Sequence, residues 1–204
     1  MKMTDRSCAA FVAELASAAP VPGGGGAAAL VGAIGAALGN MVAALTIGKR
    51  RYADVEDELR ACSARCAALR ETLLSGVQAD ADGFLPLSEA FRMPKDDPRR
   101  ADAIELGALQ ACRAPMEVMV CCRDALLCLE TLGEKGSLLA CTDAGCGAAF
   151  CRAALDAAAL NVRVNTALLQ DRARAEELEA EAERLRTSCG ALADKIYDAV
   201  CGRI

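Results

Sequence analysis

Apolar positions recur at helical spacing along nearly the whole chain, and the breaks in that spacing fall on proline, glycine or charged clusters. Near the start, Cys8, Phe11, Val12 and Leu15 trace one face of a short helix, with Thr4 as the expected N-cap and an end before Pro20. The run Pro20-Val21-Pro22-Gly23-Gly24-Gly25-Gly26 predicts a turn, because proline disfavours helix at the preceding residue and glycine allows positive φ without steric cost. So bare a backbone also admits a close neighbour. From Ala27 to Gly48 no residue is charged; Leu30, Ile34, Leu38, Met41 and Leu45 fall on one side, Gly32, Gly35, Gly39 and Ala43 on the other. That pattern predicts a helix built for close packing.

This uncharged stretch ends at Lys49-Arg50-Arg51 and contains Gly35-x-x-x-Gly39, features shared with membrane helices. Alanine and glycine drive insertion weakly, however, and no second span follows, so the expectation is a central buried helix with neighbours on all sides and no membrane partner.

From Tyr52 a heptad runs through Val55, Leu59, Cys62, Cys66, Leu69, Leu73 and Gly76, predicting a long helix with one narrow apolar seam. Extended further, the seam reaches Asp80, then Gly83 and Leu87, so a carboxylate falls on the buried face while Asp82 falls off it. Pro86 removes the N–H that would bond the Asp82 carbonyl, predicting a kink with free backbone polar groups beside Asp80. Arg92 to Pro98 reads as a loop with Asp97 as N-cap and Pro98 at the first helical position. The next helix carries Ile104, Leu109 and Cys112, bends at Pro115 and runs on to a Gly133 cap. Thr142 or Asp143 then starts a small-residue helix from about Ala144 to Leu169, with Asn161 and Asn165 on one face. A second heptad, Ala175, Leu178, Ala182, Leu185, Cys189, Leu192 and Ile196, closes the chain. No strand pattern occurs. The fold class is all-α: a bundle of long helices around a Gly/Ala-rich buried one, in a single domain spanning 1–204.

Composition narrows the chemistry. The 204 residues include no histidine and no tryptophan, which excludes imidazole bases, histidine-dependent triads and histidine-containing zinc sites. Acid–base work must come from Asp, Glu, Lys, Tyr or Cys. A net charge of −5 and few aromatic rings argue against nucleic acid as a partner. The twelve cysteines would suggest disulfides in a secreted chain, but Glu14 interrupts any apolar leader, so a reducing cytoplasm and buried thiols are expected. The sharper alternative, a thiolate metal site from Cys62 and Cys66 with Cys141, Cys146 or Cys151, has no CxxC pair behind it; no metal is expected.

Three features are unusual for a purely structural bundle: the glycine run, the seam carboxylate Asp80, and the polar set Asp143, Asn161 and Asn165 on an alanine-rich helix. A buried acid destabilises a fold unless it is paired or used. In order and spacing these blocks resemble the formimidoyltetrahydrofolate cyclodeaminase and methenyltetrahydrofolate cyclohydrolase family. Pro20 to Gly26 with Leu45-Thr46-Ile47-Gly48-Lys49 and Tyr52 resembles its N-terminal signature, and Asp80 to Phe84 its acid-x-x-x-Phe element. Arg92 to Lys95 resembles its Leu-Pro-Lys turn, Thr142-Asp143 its Ser-Asp helix start, and Leu160 to Asn165 its Asn-Val-x-x-Asn run. The chain departs from the family pattern in having Gly26 after the third glycine, where Ser or Thr is usual, and Thr142 in place of Ser.

The resemblance implies a homodimeric helical enzyme acting on tetrahydrofolate-bound one-carbon units; the narrow seams independently ask for a partner face. In cyclodeamination the folate N10 attacks the formimino carbon and ammonia leaves; in the cyclohydrolase reaction water opens the 5,10-methenyl bridge to 10-formyltetrahydrofolate. Either needs a group that takes a proton from the attacking atom and returns it to the leaving nitrogen, and seam and resemblance converge on Asp80 as that catalytic group, its pKa raised by burial. Gly23, Gly24 and Gly25 are expected to approach the folate, Asp143, Asn161 and Asn165 to read its pterin edge, and Lys49 or Lys95 to meet its acidic glutamate tail. A chain with no formimidoyltransferase segment leans toward cyclohydrolase use. The alternative is a non-catalytic folate-binding or helical scaffold paralogue.

Overall fold

The computed structural model describes residues 2–204. Seven α-helices follow in order: α1 (Cys8–Leu15), α2 (Gly24–Ala44), α3 (Glu56–Arg92), α4 (Arg100–Ala111), α5 (Arg113–Lys135), α6 (Cys141–Thr166) and α7 (Arg172–Cys201), with 3-10 turns at Met3–Asp5, Arg50–Val55 and Leu138–Ala140. No strand occurs among the described residues. Helix α5 packs against α3, α2, α6 and α7, which form an arc around it, while α4 lies against the end of α3 and touches α6.

The α3 seam lies where its heptad places it: Leu59, Cys66, Leu69, Leu73, Gly76, Gly83 and Leu87 are buried. In α7, Ala175, Ala182, Leu185, Cys189 and Ile196 are buried likewise. Helix α2 packs through its small side. A Cβ on Gly39 would come within 2.8 Å of the Cys66 sulfur, one on Gly35 within 2.7 Å of Cys151, and one on Gly32 within 3.0 Å of Cys122. Cysteines of α3, α5 and α6 thus fill the hollows over the α2 glycines, a close-packed arrangement that larger side chains would break.

The structure corrects several expectations. Helix α2 does not have neighbours on all sides: its large residues face outward, with Ile34 45% and Met41 48% exposed. Small residues permit closer backbone approach, so the glycine and alanine face turns inward. None of Gly23 to Gly26 takes positive φ; among the described residues only Gly48 does, at 81°. The last three of that run instead form the first turn of α2, which begins at Gly24 rather than Ala27 and ends at Ala44. Ser7, not Thr4, caps α1, its hydroxyl accepting from the Ala10 N–H at 3.2 Å. Helix α3 starts after the turn at Arg50–Val55 and is continuous through Pro86. The bend expected at Pro115 is a break at Cys112 that separates α4 from α5, and Pro115 occupies the first turn of α5, where a missing N–H costs nothing. Asp97 caps a turn by accepting from the Arg99 N–H, and α4 proper begins at Arg100. Helix α5 passes Gly133 to end before Gly136; α6 spans Cys141–Thr166, three residues ahead of its expected limits.

The candidate active site

The N-terminal turn of α2, the middle of α3 and the C-terminal part of α6 meet at one end of the bundle. α2 and α6 run antiparallel there: a Cβ on Gly24 would lie 3.5 Å from Asn161 Nδ2, while farther along Gly35 faces Gly147 and Cys151. Between them opens a cleft of about 160 Å³ whose wall includes Gly23, Gly24, Gly25, Asp80, Asn161 and Asn165. These are six of the nine residues expected from the sequence.

Asp80 reaches the cleft across the glycine turn. A Cβ on Gly25 would overlap its carboxylate, 2.7 Å from Oδ2, so only glycine leaves room for the acid at this position. The carboxylate therefore faces the N-terminus of α2, whose first N–H groups have no partner within the helix. Burial pushes the Asp80 carboxyl above its ordinary pKa, and hydrogen bonding from the Gly26 amide opposes that rise without cancelling it. Asp82, two residues on, is exposed and accepts from Gln78 Nε2 at 2.9 Å.

The two asparagines are braced. Asn161 Nδ2 donates to the Ala157 carbonyl at 2.8 Å within α6. Asn165 Nδ2 donates to the Ala111 carbonyl at 3.0 Å, tying α6 to the last residue of α4. Each side chain keeps its Oδ1 and a second N–H for a ligand. Phe84, one turn beyond Asp80, supplies an apolar wall, with Pro20, Val21 and Val164. Phe84 carried a signal in its i+4 spacing from Asp80; the others depend on how three helices converge.

Three expected residues do not reach this cleft within one chain. Asp143 lies in the first turn of α6, about 27 Å along the helix from Asn161. Lys49 follows the far end of α2, and Lys95 lies exposed in the turn between α3 and α4. A larger groove of about 290 Å³ lies between α6 and α7, but its charged walls pair with one another, Arg186 with Glu183 at 2.8 Å and with Asp156 at 3.6 Å. No group of three or more metal-ligating side chains placed to hold an ion occurs among the described residues.

The formiminotransferase-cyclodeaminase family matches residues 7–184. A methenyltetrahydrofolate cyclohydrolase of Methylorubrum extorquens is 40% identical over 198 residues, covering 95% of each chain. The formimidoyltransferase-cyclodeaminase of Mus musculus is 32% identical over 167 residues, which are 80% of this chain and 31% of that longer protein. The crystal structure of formiminotetrahydrofolate cyclodeaminase from Thermotoga maritima superimposes with a TM-score of 0.84 at 26% identity, over 98% of this chain and all of that one.

Proposed function

The chain belongs to the formiminotransferase-cyclodeaminase family, and from that premise we propose that its cleft processes the one-carbon bridge of tetrahydrofolate, with Asp80 as the acid–base group. The observation that carries this reading is a carboxylate of raised pKa held against a bare helix N-terminus, in a cleft walled by two asparagine amides.

The cyclohydrolase reaction is favoured, because the Methylorubrum extorquens relative is 40% identical along 95% of both chains. Water adds to the carbon between N5 and N10 while Asp80 takes its proton. The tetrahedral intermediate then collapses: the bond to N5 breaks, protonated Asp80 returns the proton to N5, and the new hydroxyl releases its proton to solvent as it becomes the formyl C=O, leaving 10-formyltetrahydrofolate. The carboxylate also offsets the positive charge of the methenyl bridge before attack. The same group serves cyclodeamination: it accepts the N10 proton as N10 attacks the formimino carbon, and delivers it to the departing ammonia. Gly23 to Gly25 admit the ligand to the helix N-terminus, and Asn161 and Asn165 read the donor and acceptor edge of the pterin.

The cleft is small for a whole folate, since ligands of that size fill about 300–1,000 Å³. The outward side of α2 with Ile34, Met41 and Leu45 adjoins that of α6 with Phe150, Leu160 and Val164, forming one apolar face. We assign its cover to a second copy of the chain, related by a twofold axis crossing the helices. That arrangement carries Lys49 and Asp143 of one copy toward the cleft of the other and accounts for their position at the opposite end of the α2–α6 pair. The twelve free thiols suit the cytoplasm as the site of action.

Absorbance of methenyltetrahydrofolate tests the reaction from both sides. Hydrolysis of added methenyltetrahydrofolate is expected, and loss of that activity in Asp80→Asn. Formation from 5-formiminotetrahydrofolate alone would move the assignment to cyclodeaminase, and no turnover from either side would leave a helical scaffold. For the assembly, a dimeric mass at micromolar concentration is expected, with Ile34→Asp giving an inactive monomer.

A further inference from the structure

Gly25 and Gly26 both border Asp80, but for different reasons. At Gly25 a Cβ would overlap the carboxylate, 2.7 Å from Oδ2, so glycine is obligatory. At Gly26 a Cβ would meet the Val77 carbonyl oxygen at 3.5 Å, Asp80 Oδ2 at 3.7 Å and Pro22 Cβ at 3.7 Å, all ordinary van der Waals separations. The backbone of Gly26 is helical and its φ is not positive. Neither space nor conformation therefore requires glycine there, although glycine is the poorest helix former after proline. The fold has room for a side chain at position 26, and what such a side chain would change is the surroundings of Asp80.

A hydroxyl carried on that Cβ would reach Asp80 Oδ2, because an O–H···O bond of about 2.7 Å sets the carbon roughly 3.5–3.7 Å from the acceptor. It would approach from behind: Gly26 is buried and does not line the cleft, whereas Gly25 does. The other groups around Asp80 are uncharged. They are Asn161 and Asn165 from α6, Ala111 from α4 and Phe84 on α3 itself, with Val118 of α5 one turn back against Gly76. Asp82 points to solvent and accepts from Gln78, and Arg113 and Glu117 at the start of α5 are exposed. We propose that Gly26 tunes the hydrolytic reaction through Asp80: by withholding a side-chain donor from Oδ2, it keeps the carboxylate a base strong enough to deprotonate water. The proposal rests on the reading of Asp80 as the acid–base group. Water is a far weaker acid than the ammonium-like N10 formed in cyclodeamination, so hydrolysis gains most from a base that no extra donor has weakened. A hydroxyl at position 26 would stabilise the ionised carboxylate and reduce its hold on the proton. Burial already raises the Asp80 pKa, and the Gly26 amide opposes that rise without cancelling it.

The test labels the aspartate carboxyls of the full chain with carbon-13 and titrates them by NMR, the Asp80 signal being the one lost in Asp80→Asn. Hydrolysis of methenyltetrahydrofolate is followed against pH in the same variants. Gly26→Ser is expected to move the Asp80 midpoint down toward the ordinary carboxylate value, to carry the acid limb of kcat with it, and to slow hydrolysis on the plateau several-fold. Gly26→Ala adds the carbon without the donor, so its midpoint should stay at or above that of the parent. A purely structural effect would move both variants alike and would overturn the proposal. So would an unchanged midpoint in Gly26→Ser, the hydroxyl then bonding the Val77 carbonyl instead, or a fall in melting temperature confined to Gly26→Ser, which would show that the hydroxyl does not fit. The titration does not depend on turnover, which separates this inference from the reading beneath it: a lowered midpoint with hydrolysis unaltered would overturn Asp80 as the base, and the proposal with it.

Discussion

The two ends of the α2–α3 contact use one geometry for opposite purposes. Gly25, Gly32 and Gly39 recur at heptad spacing on α2, and Asp80, Leu73 and Cys66 face them from the antiparallel α3 at the same spacing. At Gly39 the opposing side chain is a fully buried thiol; at Gly25 it is a carboxylate at the edge of an open cleft. A glycine hollow is required in both places, but only the second leaves its occupant in reach of a ligand. Close packing therefore positions the acid, and the cleft at the start of α2 exposes it.

Asp80→Asn tests this contrast most severely. General acid–base groups contribute about 10² to 10⁴ in rate, so kcat should fall by that order while the melting temperature stays level or rises. The rise follows from removing an acid whose ionised form is disfavoured by burial. A large drop in melting temperature together with normal turnover would make Asp80 a packing residue like Leu73.

Adding one methyl group at each end should then separate site from scaffold. Gly25→Ala forces the Asp80 carboxylate aside, and a misplacement of about 1 Å can cost on the order of 10²-fold in kcat. Gly39→Ala drives the methyl into the Cys66 sulfur; overpacking of this kind costs about 1–3 kcal/mol, with turnover of the folded protein unchanged. The double variant Gly39→Ala with Cys66→Ala should recover much of that stability, since the added methyl replaces the lost sulfur. Equal effects of the two glycine substitutions on kcat would erase the distinction.

The α3 seam and the position of Asp80 on it were readable because a heptad extends by counting, and a single long helix keeps its register. The inward turn of the α2 small face was not readable: periodicity separates Ile34 and Met41 from Gly35 and Gly39 but does not say which group meets the neighbouring helices. Gly23 to Gly26 read as a turn because glycine permits positive φ, whereas the structure uses three of them for the space a missing Cβ leaves. Asn161 and Asn165 could be paired by their spacing. Their distance from Asp143 along the same helix followed equally from sequence, and the resemblance alone had placed all three at one ligand.

The pH dependence of the two ends should differ as well. Folding raises the Asp80 pKa, so its contribution to stability is fully present below the ordinary carboxylate value of about 3.9 and is lost as pH climbs through the folded value. Turnover should rise across that same interval as the base ionises. Denaturant unfolding of parent and Asp80→Asn from acid to neutral pH should show the variant gaining relative stability as pH rises, then a plateau. A constant difference across that range would mean that Asp80 titrates alike folded and unfolded.

The smallest effect should come from Asp82, and it tests the register itself. Asp82 lies two residues from Asp80, about 200° around the helix, so it leaves the seam for solvent. Its carboxylate accepts from Gln78, an interaction that an asparagine Oδ1 can also accept. Asp82→Asn should therefore change kcat by no more than a few-fold and stability by roughly 0.5 kcal/mol or less, as surface substitutions usually do. Folate turnover measured beside Asp80→Asn makes the comparison internal, because the two variants lose the same charge from neighbouring positions. Should Asp82→Asn abolish turnover while Asp80→Asn retains it, the heptad would be miscounted by two, and the glycine turn of α2 would be packing against a spectator.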